Sequence, residues 1–139
     1  MRPTDTYRKH HQELRAIADR IEAVLDAAAI TRDPTAAALA VRELFGKFSI
    51  HLALEDNSLY PRCLRHDDDG LRRVAQRFQT EMGDLGQRFD TYKRTWPGPL
   101  AITRDPARFV ADTITMLEQL KARVGREESE FYDLVDKVA

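Results

Sequence analysis

The hexapeptide Ala-Ile-Thr-Arg-Asp-Pro occurs twice in this chain, beginning at Ala29 and at Ala101, an offset of 72 residues. Its last two residues are a helix-start signal. An aspartate side chain accepts amide protons left free at a helix start, and proline suits the first helical position. Carried forward without a gap, the offset sets Glu55 on Glu127, Asp56 on Glu128, Leu59 on Phe131 and Tyr60 on Tyr132, while His51 falls on Arg123. Matching starts and matching acidic ends read as a duplicated helix pair. An offset of 71 likewise puts His11 on Met82 and Leu14 on Leu85.

The apolar pattern supplies the rest of that pair. Tyr7, His11, Leu14, Ala18, Ile21 and Leu25 recur at steps of four and three, which predicts a first helix over about Thr4–Ala29. A second helix is expected from Pro34 to about Tyr60, with Pro61 distorting or stopping it. The turn His66–Gly70 leads into a third, over about Leu71–Thr95, with Val74, Phe78, Met82, Leu85, Phe89 and Tyr92 on one face. Trp96–Pro99 breaks that helix, and Trp96 is expected to cover the end of the core. A fourth helix opens at the second Asp-Pro and carries Phe109, Thr113, Met116, Leu120, Val124, Glu127, Phe131 and Leu134. No period-two pattern occurs. The expected fold is all-α: one domain over residues 1–139, an antiparallel up-down-up-down four-helix bundle.

Charge and composition narrow the function. A formal net charge of -1 from many charges of both signs gives no basis for a nucleic-acid footprint or a polybasic membrane patch. The most apolar run, Thr35–Val41, is far too short to span a bilayer. The amino-terminal segment lacks the apolar core of a signal peptide. A single cysteine, Cys63, excludes an internal disulfide framework and fits a reducing cytoplasm. Cys63, His66 and Asp67–Asp69 lie past Pro61 with no second cluster to complete a metal site, so they read as surface, with Cys63 as an exposed reactive thiol.

Ionisable residues inside the apolar stripes are the functional signal. His51 and Glu55 stand one helical turn apart on the face that carries Leu44, Phe48 and Leu59. His11 lies within the first stripe, with His10 at its edge. Buried there, each needs an ion pair, a hydrogen bond or a metal. Tyr60 and Tyr132 read as packing residues with a polar tip, and Met82 as a space-filling one.

HLALEDNSLYP (His51–Pro61), RVGREESEFYDLV (Arg123–Val135) and HHQEL (His10–Leu14) together resemble the second-, fourth- and first-helix motifs of the hemerythrin-like, or HHE cation-binding, family. That resemblance implies a first metal held by His11 and His51, with Glu55 and Glu127 as bridging carboxylates. The family's second metal takes histidines from the third and fourth helices. Here Met82 and Arg123 occupy those positions, and arginine offers no lone pair to a metal. Glu81 and His10 are the possible substitutes.

The resemblance therefore implies an incomplete, mononuclear site for one divalent ion, iron first, with zinc or manganese as alternatives. Metal, oxygen or redox sensing is the role it suggests, and small diatomic or anionic molecules are the ligands. The alternative is a metal-free helical bundle acting as an interaction or regulatory module. In that case Arg123 would balance the glutamates through a bidentate pair. An enzyme acting on oxygen, nitric oxide or peroxide has no support beyond the ligands themselves.

Overall fold

The computed structural model describes residues 1–138, which hold helices and no strand. The elements are α1 (Asp5–Ala23), α2 (Ala27–Arg32), α3 (Pro34–Leu54), α4 (Tyr60–Leu64), α5 (Asp69–Thr95), α6 (Pro99–Arg104), α7 (Pro106–Arg126) and α8 (Asp133–Val138). Two π-helical turns, Glu55–Leu59 and Glu127–Tyr132, join α3 to α4 and α7 to α8 without a break. None of the helices is long and apolar enough to cross a membrane.

The two hexapeptide copies fold alike. Each ends a six-residue helix, α2 or α6, and then starts a 21-residue one, α3 or α7. Asp33 accepts the Ala36 amide at 3.1 Å and Asp105 the Arg108 amide at 3.2 Å. The short helices exchange partners as well: α2 packs on α7, and α6 packs on α3.

Three boundaries depart from the sequence expectation. The first helix ends at Ala23, not near Ala29. Asp26 caps α2 by accepting the Ala28 amide at 3.0 Å, and an aspartate used that way cannot stay inside a longer helix. The second helix continues past Pro61 to Leu64. Ahead of the proline the chain widens by one residue per turn, with the Tyr60 amide donating to the Glu55 carbonyl. Pro61 then falls in the first turn of α4, where its missing amide costs little. Proline is not what causes the widening, because the second copy has Asp133 there and widens in the same place. The third helix begins slightly early, at Asp69, capped by Asp68 through the Leu71 amide at 2.8 Å.

Two apolar clusters form the core. The larger contains Leu14, Ile17, Ile21, Leu44, Phe48, Phe89, Leu120 and Val124, with Met82 packed against its edge. Trp96 closes that cluster as expected, edge-on to Phe109 with ring centres 5.3 Å apart, its indole N–H on Asp112 at 3.0 Å. The smaller contains Leu59, Tyr60, Phe78, Phe131, Tyr132 and Val135. Along α3 and the π-helical turn after it the buried positions pass from Phe48 through His51 and Glu55 to Leu59. Along α7 they pass from Val124 through Glu127 to Phe131. The buried ionisable groups therefore lie where the two clusters meet.

Cys63 belongs to the smaller cluster and is buried, contrary to the surface expectation. Because the helix runs on beyond Pro61, Cys63 lies one turn after Leu59 and Tyr60 on the inward face. Burial pushes its thiol up to about 11. In the folded protein Cys63 is expected to react with a thiol reagent roughly 100-fold more slowly than in denaturant. Equal rates in the two conditions would show that it is exposed.

Candidate metal centre

Four segments deliver the buried polar groups. His11 comes from α1, His51 from the last turn of α3, and Glu55 and Glu127 from the first residue of each π-helical turn. A π-turn adds one residue to a helical turn and recurs at functional sites. Here it lets the glutamate and the two hydrophobic residues at its far end all face inward: Glu55 with Leu59 and Tyr60, Glu127 with Phe131 and Tyr132.

The donor atoms converge. His11 Nε2 and His51 Nε2 are 3.1 Å apart. Glu55 Oε1 lies 3.3 Å from His51 Nε2, and Glu127 Oε1 lies 3.4 Å from His11 Nε2. His11, His51 and Glu127 each offer an atom within 4.8 Å of the others. Donors sharing one ion at bond lengths of about 2.0–2.1 Å stand roughly 2.9–3.4 Å apart; His11, His51 and Glu127 could hold an ion in this way, while Glu55 stands outside that group, beside His51. Three carboxylate oxygens, Glu55 Oε1, Glu81 Oε2 and Glu127 Oε2, are buried with no hydrogen-bond partner among the described residues, and of these Glu81 Oε2 has an ion pair with Arg126 at 2.8 Å. Leaving such atoms unpaired costs on the order of 1–3 kcal/mol each, and more when charged. A cation held by the Glu55 and Glu127 carboxylates would remove that cost, as would a proton shared between them.

The histidines are aimed from behind. His11 Nδ1 meets Glu128 Oε2 at 2.8 Å, and Arg15 binds both oxygens of Glu128 at 2.8 and 3.1 Å. This leaves Nε2 free to face inward, as an outer carboxylate does for a metal-bound imidazole. His51 Nδ1 lies 3.4 Å from His10 Nδ1. His10 thus stands behind His51, on the side away from the converging atoms. Glu81 is partly exposed, paired with Arg126 at 2.8 Å, and its Oε2 is 3.8 Å from Arg123.

Arg123 fills the space beside Glu127. Its Nη2 donates to the Tyr60 hydroxyl at 3.0 Å, and its guanidinium lies over the Phe78 ring at 4.7 Å. Its Nε is 3.7 Å from Glu127 Oε1, and Nε and Nη1 make no hydrogen bond. The bidentate arginine–carboxylate pair expected of a metal-free core is therefore not formed. Tyr132 is the residue that sequence reasoning missed. Its hydroxyl donates to Glu55 Oε2 at 2.6 Å and lies 3.2 and 3.3 Å from the two imidazole Nε2 atoms.

These contacts set the protonation states. Burial opposes the Glu55 charge, but His51, then Glu127 and Tyr132, outweigh it and hold that carboxyl down to about 2. Burial, and after it the Glu55 charge, raises Glu127 well above the usual carboxylate range, although Arg123 opposes the shift. The pair thus holds one charge and one proton. Burial also lowers His11 against the pull of Glu128 and Glu55, which favours the neutral imidazole a metal requires.

The family model of the hemerythrin HHE cation-binding domain matches residues 2–135. Searches of curated proteins and of solved structures return no match. With nearly its whole length matched by that model, the chain belongs to the hemerythrin HHE cation-binding family.

Proposed function

We propose that this protein binds one metal ion in the core of an up-down-up-down four-helix bundle, through His11, His51, Glu55 and Glu127. The observation that carries the proposal is the convergence of two imidazole nitrogens with the Glu127 carboxylate within 4.8 Å, and the Glu55 carboxylate 3.3 Å from His51. Two nitrogens and two oxygens suit iron best, and also zinc or manganese. Bound iron would supply a redox-active centre able to take small diatomic or anionic molecules. Sensing of metal, oxygen or redox state in the cytoplasm is the role that fits a site with one metal position.

The surrounding residues have separate tasks. Glu128 and Arg15 hold the His11 ring, and His10 backs the His51 ring. Arg123 puts a permanent positive charge where the family's second ion would sit, which disfavours that ion. With two ionised glutamates and a divalent ion, Arg123 leaves one positive charge in excess. A cavity of about 300 Å3 lies beside Arg123, lined by Arg88 and Arg126 as well as by Glu81 and Asp84. Small anions have a place to approach there.

The Arg123–Tyr60 hydrogen bond favours the second reading, a metal-free interaction module, because it gives the arginine a partner without any ion. Metal content separates the two. Protein purified without an affinity tag and loaded with ferrous iron under nitrogen is expected to hold one ion per chain by elemental analysis. His51→Ala is expected to hold none. At free iron 100-fold above Kd, the ion would stabilise the fold by about 2.7 kcal/mol, read as a rise in Tm. No iron under any loading condition would leave the metal-free module.

A pH dependence follows from the shared proton. Metal-free Glu127 is neutral above its ordinary 4.5, and coordination requires its charged form. Binding therefore displaces a proton, so apparent affinity should rise with pH across the window above 4.5. The slope should reach at most about tenfold per pH unit for one proton. An affinity flat over pH 5–7, or falling as pH rises, would contradict the assignment of that proton to Glu127.

A further inference from the structure

We propose that Tyr132 is a ligand of the metal, its phenolate oxygen joining His11 Nε2 and His51 Nε2 on one face of the site. This rests on the metal-binding reading above and adds a donor that neither the sequence pattern nor the family resemblance indicates.

Three observations carry it. The first is distance. The Tyr132 oxygen is 3.2 Å from His11 Nε2 and 3.3 Å from His51 Nε2, which are themselves 3.1 Å apart. Three donors in a near-equilateral triangle of that size match one face of the polyhedron around an ion with bonds of about 2.0–2.1 Å. Its 2.6 Å hydrogen bond to Glu55 Oε2 accounts for one direction of the hydroxyl. Holding Glu55 does not by itself require equal approach to both imidazoles.

The second is the internal repeat. Tyr60 is the counterpart of Tyr132 at the 72-residue offset, and Arg123 is the counterpart of His51. The Tyr60 oxygen accepts from the Arg123 guanidinium at 3.0 Å. One tyrosine of the pair thus already places its oxygen against a cation, and the other places it against the histidines that would hold one.

The third is charge. Arg123 leaves a divalent site with one positive charge beyond what Glu55 and Glu127 neutralise. A phenolate balances it, and a ferric ion calls for that anion still more strongly. Coordination exchanges the O–H bond for a bond from oxygen to the ion, with no change in electron count. The proton, already directed at Glu55 Oε2, passes through that carboxylate to buffer.

The test is optical. The full chain is loaded with ferric nitrilotriacetate, freed of excess iron, and examined by visible absorption and resonance Raman spectroscopy. Tyrosinate bound to ferric iron gives a visible charge-transfer band and enhanced ring modes, and both are expected. Tyr132→Phe should bind iron about tenfold or more weakly and lose the band, while Tyr60→Phe keeps it. Should Tyr132→Phe hold no iron, the other tyrosines decide the assignment. The chain has four, and Tyr92 is tied to Thr113 at 2.7 Å in the larger cluster. A wild-type band that survives in both Tyr7→Phe and Tyr60→Phe then belongs to Tyr132. Iron bound with no band, or a band that persists in Tyr132→Phe, overturns the proposal and leaves the metal site standing. A wild-type chain that takes up no iron overturns both.

Discussion

Two glutamates from equivalent helix ends face one dry core, and most of the site follows from that constraint. Glu55 and Glu127 are both fully buried, and two adjacent carboxylates cannot both stay charged without cations between or beside them. The protein answers with one ionised and one protonated carboxyl, a permanent cation at Arg123, and imidazoles aimed at the pair. Replacing one member of such a group with an apolar residue strands the others, so the set acts as a unit.

The fold serves this arrangement through the π-turns. In a regular α-helix, residues four and five positions beyond a glutamate lie about 100° apart, and only one of them can share its face. The wider turn brings both inward, so each half presents a glutamate and a tyrosine to the same core. The tyrosines then cross: Tyr132 reaches the histidines of the first half, and Tyr60 the arginine of the second. An ion pair of Arg8 with Asp133 and Asp136 ties α1 to α8 just outside, and Glu128 ties α7's extension to His11.

How much of this was legible in the sequence depends on the local rule each residue obeys. The aspartate-proline starts were legible because capping is a short-range interaction, and both aspartates cap as read. His11, His51, Glu55 and Glu127 were legible because they interrupt apolar stripes at helical spacing; the structure sets His11, His51 and Glu127 within 4.8 Å of one another, with Glu55 beside His51. The role of Tyr132 was not legible, because a 3.6-residue period cannot foresee a turn that adds a residue. Its one signal was the retention of tyrosine at both ends of the repeat. The early end of the first helix was hidden for a different reason: Leu25 continues the stripe, but Asp26 does better as a cap than as a helical residue. Cys63 reads as surface only if the helix is distorted or stopped at Pro61, and Pro61 stands where proline does least harm.

One ion between the histidines and the glutamates, with Arg123 in place of a second, is what we propose for the polar core. Crystals of the iron-loaded protein, measured on both sides of the iron absorption edge, test it most directly. One anomalous peak per chain is expected within bonding distance of His11 Nε2 and His51 Nε2, and none beside Arg123. A second peak next to Glu81, a peak only on the surface, or no peak in crystals of protein shown to be fully loaded would contradict it.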